Sequence, residues 1–493
     1  MESVIIDKFI PGGQGIGTLK SGKKAFIWGA LPGETVEFQI TKNKSSFCEG
    51  VATKIITKSK RRSNLRDPCY LATSPWQILD YPYELEQKSL LVQECFRQMG
   101  VEVQMNDLSE HGRGRPAVAG DQPSSPHLSS QIVKAPQSHS SELQSAITDG
   151  KDYFYRNKME YSLYWNNDTT KIELAFHTRG THRKIPITQS SIERPEIFTE
   201  AQRIVDQLNA EHKSARDYQS LLVRCNQQGT VSAALFENHK PRPKMIPLTD
   251  TLFGHKYSYS PNGFFQINLP VYELALQVIK QHIKTPKVLD LYAGVGTIGL
   301  SVARNHHLTL VETDKSAYSE LVKNCESVDF GQSARSYVTS EEAVEEGRAD
   351  LATNCLGIQM TSFKEPLPSV TTEAGRTWRS RVTTRRPQVR APKSLSSESH
   401  IKPIFAKSEE VLDFITPDST IILDPPRAGC NPKLIEKLAQ VKPPTIIYLS
   451  CNPITQARDI KPLLQHYQIK LCQPFNFFPR TPHIENLIIL TPR

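Results

Sequence analysis

Cys451 stands in Tyr448-Leu449-Ser450-Cys451-Asn452-Pro453, directly after the β-branched run Thr445-Ile446-Ile447. An apolar run ending in a polar, proline-terminated turn reads as a buried parallel strand that delivers its last side chains to the C-terminal edge of a sheet. Open α/β sheets bind their ligands at that edge. A thiol placed there is a candidate nucleophile, because the thiolate attacks well once its proton is gone. Elsewhere a lone cysteine is most often a small buried hydrophobe. A second run, Ile421-Ile422-Leu423, ends in Asp424-Pro425-Pro426-Arg427. Two prolines end the strand and fix the backbone. Asp424 is then either a strand-capping residue or a carboxylate that orients a base or cofactor.

A third strand-like stretch, Val288-Leu289-Asp290-Leu291-Tyr292, runs into Gly294-Val295-Gly296-Thr297-Ile298-Gly299, and Glu312 ends the next predicted strand. Such a glycine loop suits NAD or S-adenosylmethionine, since both need close backbone approach and a carboxylate for ribose hydroxyls. A purely structural glycine turn is the alternative. Asp290 and Tyr292 before the glycines, together with the two stretches above, favour the methyl donor.

The elements that position these residues form an alternating series. Strands are expected at 287–292, 308–312, 401–405, 420–423, 445–449 and 487–490, with helices over 271–284, from Thr297, and over 316–326. This is an α/β unit of ordinary size once the irregular stretch 328–400 is set aside. At the other end, Pro11-Gly12-Gly13-Gln14-Gly15-Ile16-Gly17, Lys20-Ser21-Gly22-Lys23 and Leu31-Pro32-Gly33-Glu34 separate predicted strands at 25–28, 35–41 and 51–56. Short strands with regular turn signals predict a small closed barrel. Lys42, Lys44, Lys54, Lys58, Lys60, Arg61 and Arg62 crowd its end, as a phosphate-tracking surface or a solvated charge run would. Between these, apolar spacing predicts a helix from Asp80 to Met99. Strand-like alternation covers 153–158, 161–165, 173–177, 221–224 and 231–235. We therefore expect three parts: a barrel at 1–57, a mixed α+β domain at 58–270, and an α/β domain at 271–493. Segments 104–150 and 328–400, rich in Ser, Pro, Gln or Arg and without periodicity, are expected to be disordered insertions.

The chain has 493 residues, too many for one core, and a formal net charge of +9 that favours a polyanionic partner. Its nine cysteines are scattered without a CxxC pair. That pattern is neither a disulfide framework nor a zinc site and suits a reducing cytoplasm. No signal peptide and no run of the ~20 apolar residues needed to span a bilayer is evident, so no membrane partner is expected.

The barrel pattern GGxGIG…ALPGExVE resembles the TRAM domain, a small RNA-binding barrel. The Asp-x-aromatic-x-Gly-x-Gly loop resembles that of class I methyltransferases. Phe264-Phe265-Gln266-Ile267-Asn268, DLYAGVGTIG, DPPRAG, SCNP and Phe478-Pro479-Arg480-Thr481-Pro482-His483-Ile484-Glu485 occur together, in order. Over residues 1–103, 151–327 and 401–493 the chain is similar to the RNA uracil-5-methyltransferases of ribosomal and transfer RNA. The resemblance implies a class I, Rossmann-like domain. It also implies Cys451 as nucleophile and Glu485 as general base. It places S-adenosylmethionine contacts at Gln266, Tyr292, Gly294, Gly296, Thr297, Glu312 and Asp424. RNA contacts are implied at Arg156 and Lys158 of the Tyr155-Arg156-Asn157-Lys158 segment, and at Phe264 or Phe265 as stacking partners for a base.

Many ribosomal members carry a [4Fe–4S] cluster on four cysteines, but only Cys69 stands in the matching stretch here, and none lies near 188–191. A cluster needs its thiolates, so none is expected. The expected protein is a cytoplasmic monomer acting on 23S ribosomal RNA. Transfer RNA is the alternative substrate, and an inactive RNA-binding relative or an NAD-dependent oxidoreductase are the rival functions.

Overall fold

The alternation of the first 57 residues closes on itself. In the computed structural model, β1 (Ser3–Phe9), β2 (Gly15–Thr18), β3 (Lys24–Trp28), β4 (Thr35–Asn43) and β5 (Phe47–Thr57) form a closed barrel in the order β1-β2-β3-β5-β4. Val4, Ile6, Ala25, Ile27, Val36 and Phe38 fill it from alternate strand positions, as a two-residue side-chain period requires. The structure describes residues 2–105, 142–143, 145–179, 183–188, 190–338 and 400–493.

After the short α1 (Tyr70–Thr73) comes α2 (Tyr81–Gln98). Asp80 caps it by accepting from the Tyr83 N–H at 2.8 Å, and Pro82 occupies its first turn, a combination that satisfies an orphan donor and presets the backbone. The chain then adds β6 (Gln104–Met105) and β7 (Glu142–Leu143). A sheet of β8 (Lys158–Asn166), β9 (Lys171–His177), β10 (Lys184–Pro186), β11 (Tyr218–Cys225) and β12 (Val231–Glu237) follows, ordered β10-β9-β8-β11-β12. Across it lies α3 (Pro195–Ala210), which buries Ile197, Ala201, Val205 and Leu208 at helical spacing. The hairpin β13 (Leu248–Leu252) and β14 (His255–Tyr259) leads to α4 (Leu269–Gln281).

The C-terminal part contains β15 (Lys287–Leu291), α5 (Thr297–Val302), β16 (His307–Glu312), α6 (Lys315–Val338) and β17 (Ile401–Phe405). It continues with β18 (Ser419–Leu423), α7 (Pro432–Val441), β19 (Thr445–Ser450), α8 (Pro453–Ile460), β20 (Tyr467–Phe475) and β21 (Glu485–Pro492). One sheet takes the order β17-β16-β15-β18-β19-β21-β20-β7-β6. Strands β15 to β19 are parallel, and β21 enters antiparallel between β19 and β20. Ile421, Ile422, Leu423, Ile446, Ile447 and Leu449 are all fully buried. Both faces of this sheet are covered, which is why these strands read as continuous apolar runs. The architecture is a Rossmann-like methyltransferase sheet with an N-terminal small barrel and a mixed α+β part between them.

Three expectations change. The stretch 153–157 is not a strand: Phe154 is left-handed (φ 54°), and the Phe154 and Arg156 N–H groups donate to Ser191 and Ile192 carbonyls in a neighbouring loop. The flanks of 104–150 are ordered, because β6 and β7 extend the large sheet and the Ile147 N–H donates to the Pro474 carbonyl at 2.9 Å. The body of that segment, 106–141, lies outside the described residues, as does 339–399. Within 328–400, α6 continues to Val338. Two compact units divide the chain. Met1–Phe330 with His400–Arg493 carries everything that follows, and Gly331–Ser399 is the other.

Candidate active site

Strand order reverses between β15 and β18, which makes their C-terminal ends a topological switch point. The three predicted stretches all end there or beside it. After β15, Gly294 and Gly296 adopt left-handed φ of 58° and 90°. A Cβ on Gly294 would meet nothing within 4 Å, so this glycine leaves an open cradle. Gly296 and Gly299 have a packing role instead. A Cβ on the first would press on Leu321 at 2.7 Å, and one on the second on Asp290 Oδ2 at 2.8 Å.

The carboxylates around this loop are tied to backbone. Glu312 Oε2 accepts from the Gly294 N–H at 2.8 Å, and Oε1 from those of Thr313 and Asp314 at 2.7 and 2.6 Å. Asp290 Oδ2 accepts from the Gly299 N–H at 2.8 Å. Its Oδ1 is buried without a partner, and burial pushes the carboxyl up to about 8. Thr297 begins α5 and shares a 2.8 Å hydrogen bond with the Tyr272 hydroxyl. Tyr292 is left-handed (φ 65°), and its hydroxyl accepts from Ser408 Oγ at 2.8 Å.

The second half of the site is made by a strand reversal. In the β19–β21 pair, Ser450 lies opposite Asn486. One step further along the same antiparallel register sets Cys451 opposite Glu485, although 34 positions separate them in the chain. Burial pushes the Cys451 thiol up to about 11, the Glu485 and Asp424 carboxylates push the same way, and Arg427 opposes them. Burial and then Asp424 hold Glu485 well above the usual carboxylate range, with Arg427 pulling back. Burial alone lifts Asp424 to about 7. Among the described residues, neither the Asp424 nor the Glu485 carboxylate has a hydrogen-bond donor. Carboxyls whose proton affinity is raised in this way are candidates for proton transfer.

The RNA-side expectations divide. Phe264 is 76% exposed and free to stack. Phe265 is buried and lies face to face with Tyr259 at 3.9 Å, with the Arg224 guanidinium 5.5 Å from its ring. At 3% exposure, with one face stacked on Tyr259, it does not present a ring to a base on the surface. Lys158 Nζ donates to the Asn262 and Gly263 carbonyls at 3.3 and 3.2 Å, steadying the turn before Phe264. Burial lowers it to about 8. Arg156 Nε donates to the Lys158 carbonyl at 3.0 Å. Gln266 is buried, and its carbonyl accepts from Asn157 Nδ2 at 3.1 Å.

Sequence reasoning passed over Asp290 as a site residue and the buried Lys88–Glu84 pair, which holds the loop before Glu485. Helical spacing alone marks Glu84 and Lys88 as an ordinary i,i+4 surface pair. Only the tertiary contacts show that they are buried. Among the described residues, no group of three or more His, Cys, Asp or Glu is placed to hold a metal ion. No helix among them is long and apolar enough to cross a membrane.

Comparison with known proteins covers both ends of the chain. Residues 410–493 match the tRNA (uracil-5-)-methyltransferase family and residues 2–53 the TRAM domain. An uncharacterized RNA methyltransferase of Bacillus anthracis is 24% identical, with 97% of this chain and 94% of the relative covered. One from Nanoarchaeum equitans is 29% identical over 49% of this chain and 39% of its own length. The Pyrococcus abyssi tRNA (uracil-54, C5)-methyltransferase, solved with S-adenosyl-L-homocysteine, shares the fold with a TM-score of 0.62 at 18% identity. There the alignment covers 99% of both chains. The chain is thus similar to RNA methyltransferases along nearly its whole length, to the TRAM domain at its start and to the tRNA (uracil-5-)-methyltransferase family over residues 410–493.

Proposed function

We propose that the chain transfers a methyl group from S-adenosylmethionine to C5 of a uridine in structured RNA, with 23S ribosomal RNA as the substrate. The observation that carries this reading is the β19–β21 register, which brings a thiol and a high-pKa carboxyl side by side at a sheet edge. The open cradle at Gly294, the bound Glu312 carboxylate and the unpartnered Asp290 Oδ1 suit a nucleoside ligand. Gln266, Tyr292, Gly294, Gly296, Thr297, Glu312 and Asp424 would hold S-adenosylmethionine, which when bound supplies an electrophilic methyl group on sulfonium.

The residues of the chain supply the rest. Uracil C5 is a poor nucleophile in the intact ring. Cys451 loses its proton to solvent, and the Sγ of the thiolate forms a bond to C6. The C5–C6 electron pair then moves onto C5 and the O4 enolate. With the methyl group on C5, Glu485 removes the remaining C5 proton, the C5–C6 double bond reforms and the thiolate leaves. Arg427 favours the thiolate, whereas the ionised Asp424 and Glu485 carboxylates oppose it. A base must leave its stack to reach such a site, and exposed Phe264 offers a face for a neighbouring or target base. Arg156 and Lys158 border that approach.

A transfer RNA substrate is the second reading, favoured by the name of the family matched at 410–493. Incubating the purified chain with labelled S-adenosylmethionine and separated ribosomal and transfer RNA, then digesting to nucleosides, tests both. 5-Methyluridine in the ribosomal fraction is expected. Label confined to transfer RNA would favour the second reading, and absence of 5-methyluridine from both would overturn the activity.

A further inference from the structure

Residues 476–484 join β20 to β21 and deliver Glu485, and all parts of the compact unit fasten them. From α2, both Glu84 carboxylate oxygens accept from the Arg480 N–H at 3.0 and 3.1 Å, and Oε1 also from Asn476 Nδ2 at 3.2 Å. Lys88, 3.2 Å from Glu84 and like it fully buried, donates to Asn476 Oδ1 and to the Phe478 carbonyl. From the central part, the Tyr155 hydroxyl donates to the Pro479 carbonyl at 2.9 Å, and Asp152 pairs with the Arg480 guanidinium. The barrel reaches the same loop. Gly13 lies against Pro482 so closely that a Cβ on it would sit 2.2 Å from Pro482 Cβ. The Gly13 carbonyl accepts from Trp76 Nε1 at 3.1 Å, and the Trp76 N–H donates to the Arg480 carbonyl at 3.0 Å.

The β20–β21 ladder has its own rungs from Tyr467–Pro492 to Phe475–Glu485. Glu485 is the last of them, so the loop beyond decides how its side chain leaves the sheet. We propose that Gly13 and the Glu84–Lys88 pair are positioning residues for Glu485, acting through Pro482, Asn476 and Arg480. The barrel thereby serves the proton-removal step and not RNA binding alone. This rests on the reading of Glu485 as the base that releases the thiolate.

Gly12 and Gly13 allow a clean comparison. Both have left-handed φ, 101° and 91°, so alanine strains the backbone at either. A Cβ on Gly12 meets nothing within 4 Å, whereas one on Gly13 strikes Pro482. Gly13→Ala is expected to keep RNA affinity and first-turnover methyl transfer. It should slow multiple turnover on the order of tenfold or more, since small misplacements of a reacting group are costly. Methylated RNA covalently joined to Cys451 should accumulate on denaturing gels, whereas Gly12→Ala should not trap it. Trp76→Phe, which deletes the Nε1 donor to Gly13 but keeps an aromatic ring, should show a smaller version of the same trapping. That variant decides the matter if Gly13→Ala yields no folded protein. Turnover without trapped adduct in both Gly13→Ala and Trp76→Phe would overturn the proposal. Loss of RNA affinity in Gly13→Ala without adduct would do the same. A wild-type chain that methylates no RNA, with no adduct from Glu485→Gln, would instead bring down the reading of the site itself.

Discussion

The two halves of the switch-point site differ in how far their carboxylates are tied to backbone donors. At the β15–β16 end, Glu312 is satisfied by three backbone N–H groups and Asp290 Oδ2 by one. At the β18–β19–β21 end, Asp424 and Glu485 have no donors among the described residues; burial raises both, Asp424 raises Glu485 further, and the two carboxylates add to the rise of the Cys451 thiol. A half that holds a ligand benefits from preformed, satisfied geometry. A half that moves protons benefits from groups poised to change charge.

Removing the thiol tests the contrast most severely. Cys451→Ala should abolish methylation, a loss on the order of 10⁴-fold or more as for other nucleophiles that act with a partner base. S-adenosylmethionine binding by calorimetry should stay close to wild type. Equal loss of both would show that the halves are one cooperative unit. Glu485→Gln should slow turnover about 10²–10⁴-fold and accumulate a methylated RNA–protein adduct on denaturing gels, absent when Cys451 is also replaced. Gln keeps shape but is no useful base, so normal turnover would assign the proton to another group.

On the holding side, Glu312→Ala frees three N–H groups and should raise the KM for S-adenosylmethionine about tenfold, with a smaller effect on kcat. Arg427→Ala removes the cation that opposes the rise of the Cys451 thiol. Its alkylation by iodoacetamide, measured against the Cys451→Ala background, should be slower at any given pH. The wild-type rate should climb steeply toward alkaline pH.

The smallest effect is on stability. Asp424 is raised in the folded state from an ordinary value near 4 to about 7, so between those values the folded chain holds more protons than the unfolded one. Stability from this group is therefore present at low pH and falls as pH rises from about 4 to 7. Asp424→Asn should flatten that decline, with a gain on the order of 1 kcal/mol at pH 8, read as a higher Tm. A variant less stable than wild type at pH 8 would mean that the ionised carboxylate is stabilised in place.

Much of this was legible beforehand where local rules are strong. Strand-ending prolines, the glycine loop and the β-branched runs identified β15, β18 and β19, and the short barrel strands stood out through their turns. The signals failed where partners are remote. β20 includes Lys470, Gln473 and Pro474 and carries no clean alternation, since its second half, Cys472–Phe475, is buried throughout, Gln473 included. α3, α7 and α8 start from Pro-containing turns that read as loops. Phe264 and Phe265 are equivalent as letters, yet one is exposed and the other is buried and stacked on Tyr259.

The sequence by itself determined which groups could react and on which strand ends they stand, because strand termination and glycine φ are local properties of the chain. The tertiary structure alone decided that Cys451 and Glu485 are neighbours, since that requires β21 to enter antiparallel beside β19. It also decided that Glu84 and Lys88 are fully buried and turned toward the loop that leads into Glu485. Burial and register depend on what packs from elsewhere in the chain. Proton affinities follow burial and nearby charge, so the electrostatic contrast between the two halves exists only once the fold has formed.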